Sequence, residues 1–209
     1  MSDYNLYCFA LSGNSYKVAL FLELAQQDWQ PVFVDYLNGQ TKEFEWRSSI
    51  NEQGEVPVLE HRGQRFTQSA LILDYLAEVT GWFKPADAQQ RQEAWRWMLF
   101  DNHKFTSYYA TLRFMYGLQK TGESEVTAFL RERARAAYSI VDTQLKKTPF
   151  LIGDAITIAD LSLAGYVFMP EETGIEDSEF PHIEKWKERL RDLPGWKHPY
   201  ELMPGPTTL

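Results

Sequence analysis

The chain has 209 residues, 44% apolar and 24% charged, enough to build a sizeable core as one large domain or two small ones. Its formal charge of −8, with no run of Lys and Arg, argues against a nucleic-acid partner, and the sole cysteine, Cys8, rules out an internal disulfide and fits a reducing compartment. No apolar run reaches the ~18 residues of a membrane span and the N-terminus carries no signal-peptide pattern, so a cytoplasmic protein that does not cross a membrane is expected.

The first eighty residues alternate β-like and helical runs. Residues 4–9 read as a strand and 16–26 as a helix, with Val18, Leu22 and Ala25 at helical spacing. Residues 31–34 form a second strand, and 41–49 a polar helix that Thr41 can cap. Residues 56–60 and 65–67 flank His61-Arg62-Gly63-Gln64, the turn signature of an antiparallel pair. Residues 69–78 close the unit as a helix. The order is β-α-β-α-β-β-α, and its early alternation implies parallel pairing through crossover helices.

Gly81 and Pro85 mark a change of grammar, after which no strand pattern is evident. Residues 91–117 form one long helical stretch ended by Gly117. Residues 123–146 carry a stripe of Val126, Phe129, Leu130, Ala134, Ala137, Val141 and Leu145, read as bundle core. In Thr157-Ile158-Ala159-Asp160, Thr157 caps a helix and Asp160 answers it, with Ile156 and Leu161 as a staple. Asp160 is thus a buried structural residue rather than a catalytic acid. Pro181 opens a last helix with Ile183, Trp186 and Leu190 on one face, Pro194-Gly195 ends it, and the final six residues read as a loose tail. The expected division is a domain at 1–80, a linker at 81–88 and an all-helical domain at 89–209.

Ser12-Gly13-Asn14-Ser15 lies where the first strand hands over to a helix. Helix N-termini carry unpaired N–H groups and a positive dipole end, so hydroxyls there suit an anion, although Ser12 or Asn14 acting only as a cap is the plainer reading. Val56-Pro57 and Gln68-Ser69 follow in order.

With Gly39-Gln40-Thr41-Lys42, residues 51–57, Gln68-Ser69-Ala70-Leu71-Ile72 and residues 153–160, these motifs make the whole chain resemble the soluble glutathione transferases, in a serine-type bacterial class. The resemblance implies a thioredoxin-like α/β N-terminal domain followed by an all-α bundle, a homodimer, and a detoxifying enzyme using glutathione as co-substrate. It implies that Ser12 stabilises the glutathione thiolate, with Ser15 or Asn14 as alternatives. Val56, before a cis Pro57, would pair with the cysteinyl backbone, Gln68 and Ser69 would hold the γ-glutamyl end, and Lys42 the glycyl carboxylate. The electrophile would sit between the halves against residues 91–117, where Trp95, Phe105, Tyr108, Tyr109, Phe114 and Tyr116 offer aromatic surface and Arg113 would steer an anionic substrate. Three positions depart from the pattern: Thr41 replaces a histidine, Asn51-Glu52 replaces Asn-Pro, and Glu55 replaces a glutamine and would repel a glutathione carboxylate.

Other chemistries are open. On this fold Cys-x-x-Cys normally carries dithiol exchange, and Ser12 and Ser15 occupy that spacing here. Glutathione itself would still support peroxide or disulfide reduction, or cis–trans isomerisation. A binding or scaffold protein without turnover is the non-enzymatic reading. His61, His103, His182 and His198 show no paired-ligand spacing, so no metal is expected.

Overall fold

The computed structural model describes residues 2–208, in two compact units: residues 2–82 with 193–208, and residues 83–192. In the first unit, β1 (Tyr4–Cys8), β2 (Trp29–Phe33), β3 (Val58–His61) and β4 (Gln64–Thr67) form one sheet in the order β2-β1-β3-β4. β1 and β2 run parallel, while β3 lies antiparallel to both β1 and β4. The crossover α1 (Gly13–Leu24) joins the parallel pair. The β-α-β-α-β-β-α order continues through a 3-10 turn (Gln40–Lys42), α2 (Phe44–Ser49) and α3 (Ser69–Thr80). At the β3–β4 hairpin, Arg62 and Gly63 both take positive φ (51° and 74°), as a two-residue turn between right-twisted strands requires.

The first helix begins three residues earlier than its apolar spacing predicts, because Ser12 caps it. Instead of one apolar stripe, α1 is buried nearly all round: Val18, Ala19, Leu20, Phe21 and Leu22 are all fully buried. On the sheet, Val34, Trp46 and Val58 form a further apolar cluster with Tyr7, Ile50 and Val56 packed against it.

The C-terminal segment belongs with this first unit, not with the helical half as the sequence division has it. α9 (Pro199–Leu202) packs on α1. Tyr16 Oη donates to Lys197 O at 2.8 Å, Lys197 Nζ reaches Glu23 at 2.6 Å, and Ala10 N donates to Pro204 O at 2.8 Å. The expected loose tail is thereby tied down as far as Pro204.

The second unit is helical. α4 (Ala88–Phe100), capped by Asp87, runs through a π turn (Asp101–Phe105) into α5 (Thr106–Arg113) and a second π turn (Phe114–Leu118). This is the long helix expected over 91–117, but the first π turn rotates the faces of α5 beyond it. α6 (Glu125–Leu145) follows Ser124, whose hydroxyl and that of Thr127 form a reciprocal cap. Its buried face is Leu130, Ala134, Ala137, Tyr138, Val141 and Leu145. Val126 and Phe129, expected in that stripe, are about half exposed in the first turns. α7 (Ile158–Leu163) and α8 (Pro181–Arg191) complete the unit, with Ile183, Trp186 and Leu190 buried as expected.

Candidate functional site

Strand register brings the motifs to one edge of the sheet. Cys8 lies beside Phe33, Tyr7 opposite Val58, and Val58 opposite Thr67. The four strands therefore end or begin together. The segments leaving that edge carry Ser12 after β1, Lys42 after β2, Val56-Pro57 before β3, and Gln68-Ser69 after β4.

Ser12 is 7% exposed and caps α1, its Oγ accepting from Ser15 N at 3.1 Å. Ser15, fully buried, also donates its hydroxyl to Ser12 Oγ at 2.9 Å. A hydroxyl has two acceptor lone pairs and one proton. With both lone pairs engaged, what Ser12 has left to offer is its proton. Asn14 sits in the same turn, its Oδ1 buried without a hydrogen-bond partner.

The Val56–Pro57 bond is cis. The Val56 side chain packs on the Trp46 cluster, while neither its N–H nor its C=O is hydrogen-bonded among the described residues. The preceding loop explains its position. Asn51, 2% exposed, donates through Nδ2 to Glu55 O at 3.0 Å and accepts from Gln53 N at 3.1 Å. Gly54 takes φ +70°, and a Cβ there would lie 2.8 Å from Thr41 O and 2.9 Å from the Arg47 guanidinium, so only glycine lets this loop meet the 3-10 turn. Lys42, on that turn, is exposed and makes no ion pair among the described residues.

Gln68 precedes α3 at φ 67°, ψ 111°, a left-handed region that an L residue rarely adopts, and gives the helix no side-chain cap. Its Nε2 donates to Gln53 Oε1 at 2.7 Å and Glu55 Oε2 at 3.2 Å. Ser69 begins α3 at 6% exposure, and its hydroxyl bonds to nothing among the described residues. With Ile72 N the first to bond back, to Gln68 O, the N–H groups of Ser69, Ala70 and Leu71 stay open. No acidic residue occupies that first turn. Open N–H groups at the positive end of a helix can cradle an anion.

Cys8 is fully buried in β1, and burial pushes its thiol up from 9.0 to about 12, so it offers no reactive thiolate.

The two residues expected at an electrophile site lie in the helical unit. Tyr108 is half-buried on α5. Arg113, expected to steer an anionic substrate, is corrected: it is 2% exposed, with Nε 2.5 Å from Glu172 and its guanidinium 5.8 Å from the Tyr166 ring centre. Its charge is committed to an interior ion pair. Of the aromatic residues considered with them, Phe105 and Tyr109 are core.

Sequence reasoning missed Asn51 and Gly54 as the supports of Val56, although Asn-x-x-Gly is a turn signal that could have found them. It also missed Asp101, a buried carboxylate in the first π turn that accepts from Thr106 Oγ1 and Ser162 Oγ, both at 2.6 Å. A register slip inside a helix leaves no periodicity to read.

A family model described as the glutathione S-transferase N-terminal domain matches residues 2–78, and one for the C-terminal domain matches residues 106–194. The chain is similar to the crystal structure of a glutathione S-transferase from Pseudomonas fluorescens, with 30% identity and a TM-score of 0.87 over 94% of this chain and 98% of that one. It is 29% identical to glutathione S-transferase F14 of Arabidopsis thaliana, over 93% of this chain and 82% of the relative. It is 26% identical to the disulfide-bond oxidoreductase YfcG of Escherichia coli, over 90% of each. A thioredoxin-like sheet unit with an open cradle at one edge, a helical unit, and sequence likeness along nearly the full length agree, and the chain belongs to the glutathione S-transferase family.

Proposed function

We propose that this chain is a glutathione transferase of the serine type, in which Ser12 holds the sulfur of glutathione as a thiolate for attack on a hydrophobic electrophile. The observation that carries the reading is the state of the Ser12 hydroxyl: Ser15 fills its acceptor positions from two sides, leaving a proton to donate. A thiol of pKa ~8.5 is only a few per cent ionised at neutral pH, and moving it down two units needs roughly 2.7 kcal/mol of preference for the anion. A hydroxyl donor at the positive end of α1 acts in that direction. Ser12 is then a thiolate stabiliser, neither nucleophile nor base. Asn14, two residues into the same turn, is the neighbouring candidate donor.

The rest of the tripeptide follows the open donors. The γ-glutamyl carboxylate goes to Ser69 and the N–H groups of α3, with Gln68 beside it. The cysteinyl backbone pairs with the unpaired N–H and C=O of Val56, in the manner of an added strand. Lys42 takes the glycyl carboxylate. Tyr108 lines the electrophile site. A cytoplasmic homodimer belongs to the same reading, and Phe44, at 87% exposure, and Leu71, at 49%, are apolar surface that a second copy would cover.

The likeness to YfcG favours a second reading, reduction of a disulfide by two glutathione molecules, which leave as the oxidised dimer. Cys8 plays no part in it, being buried and un-ionised. Retention of the protein on immobilised glutathione, followed by parallel assays with an activated aryl halide and a small disulfide, separates the readings. Turnover of the halide supports transfer; turnover of the disulfide alone supports the second reading. Retention without any turnover leaves a binding protein, and failure to be retained contradicts all of them.

A further inference from the structure

The loop before the cis proline holds a carboxylate whose role the glutathione reading leaves open. Glu55 is exposed and forms no ion pair among the described residues, not even with Arg47, whose guanidinium lies against Gly54. Its Oε2 accepts a hydrogen bond from Gln68 Nε2 at 3.2 Å. Gln68 is the residue that enters α3, so Glu55 lies within one glutamine side chain of the open N–H groups of that helix. Two opposite electrostatic elements thus sit side by side. One is a donor cradle with an unpartnered Ser69 hydroxyl and no acidic residue in its first turn. The other is a carboxylate, with Gln53 Oε1 as a neutral acceptor beside it, 2.7 Å from the same Gln68 nitrogen.

That pairing matches an α-amino acid, which bears a carboxylate and an ammonium on one carbon. A lone anion would gain from the cradle and be repelled by Glu55; a zwitterion gains from both. Accepting from Gln68 uses only one of roughly four lone-pair positions on a carboxylate, so capacity remains for an ammonium. The loop is also held for the task, because Asn51 and Gly54 fix residues 51–55 against the 3-10 turn.

Resting on the glutathione reading above, we propose that Glu55, aligned by Gln68, receives the α-ammonium of the γ-glutamyl group and makes the site selective for a free amino-acid terminus. Glu55 is therefore an attractive element, reversing the repulsion its acidic character suggests from sequence.

The test compares two probes on two proteins by calorimetric titration: glutathione and its des-amino analogue, glutaryl-cysteinyl-glycine, each against the wild type and E55Q. A charged hydrogen bond of ordinary strength predicts that the wild type prefers glutathione about tenfold or more. E55Q is expected to lose that preference, binding both probes at the level the wild type shows for the analogue. S69A, which removes a carboxylate donor, should weaken both probes alike and keep their ratio. If E55Q still favours glutathione as strongly as the wild type does, the assignment of Glu55 is overturned while the glutathione reading stands. If the wild type binds neither probe, both fall together.

Discussion

The sheet edge of the first unit and the polar interior of the helical unit use the same residue types to opposite ends. At α7, the Thr157 hydroxyl accepts from Ala159 N, and Asp160 closes the cap with a bond from Thr157 N at 2.9 Å. Asp160 also accepts from Thr157 Oγ1, Leu151 N and Trp186 Nε1, so both of its oxygens are occupied. Burial raises its carboxyl from 3.8 to about 6, opposed by those four donors, and it stays mostly ionised at neutral pH. Asp101, Arg113 and Lys187, all buried, are likewise matched with hydrogen-bonding or charged partners. At the edge of the sheet, by contrast, α3 has no side-chain cap, Val56 keeps its backbone groups open, and Ser12 retains a proton. A serine or threonine at a helix start serves only as a cap when its hydrogen-bonding capacity is used up; Ser12 caps α1 and still has a proton left over.

The comparison predicts effects of different kind and size. The largest is on stability: Asp160→Ala leaves four buried donors without an acceptor and should cost roughly 3–5 kcal/mol. Denaturant melts would show it, while glutathione affinity of the folded fraction should be unchanged. A loss of affinity without loss of stability would erase the distinction between the two regions. Next is Ser12→Ala, which should lower turnover tenfold or more, about 1.4 kcal/mol of barrier, and also cost about 1 kcal/mol of stability through the lost cap. A variant as active as the parent would move the role to Asn14 or the backbone. Lys42→Ala should weaken glutathione only about threefold, as an exposed charge does, and the difference should shrink with added salt. The smallest expected effect is none. Since the thiol of Cys8 ionises only near 12 when folded, alkylation at neutral pH should be negligible in the native protein, rise with pH, and become fast on unfolding. Rapid native labelling would reopen thiol chemistry at the end of β1.

Most of the α/β unit was legible because its signals are local. Strand alternation, the Arg62-Gly63 turn and the motif order locate every element to within a few residues. The capping box at Thr157 and Asp160 was legible for the same reason, and so was the burial of Cys8. Longer-range relations were not. Nothing in the run from residue 91 to 117 announces the π turns that bury Asp101 and turn Arg113 inward. Val126 and Phe129 fit a helical stripe, yet they lie to one side of the buried face of α6, beside Thr127 and Leu130, which do pack. Pro204 reads as part of a loose tail because its partner, Ala10, is far away in sequence. Within the candidate site, residue types were legible from the motifs. The leftover capacity was not, since it depends on what Ser15, Gln53 and Gln68 bond to in three dimensions.

Ultraviolet titration of glutathione bound to the wild-type protein reads the state of sulfur at the start of α1. The thiolate band is expected about two pH units lower than for the free tripeptide, and Ser12→Ala is expected to move it back toward the free value. A bound thiol that ionises where the free one does would contradict a donor role for Ser12.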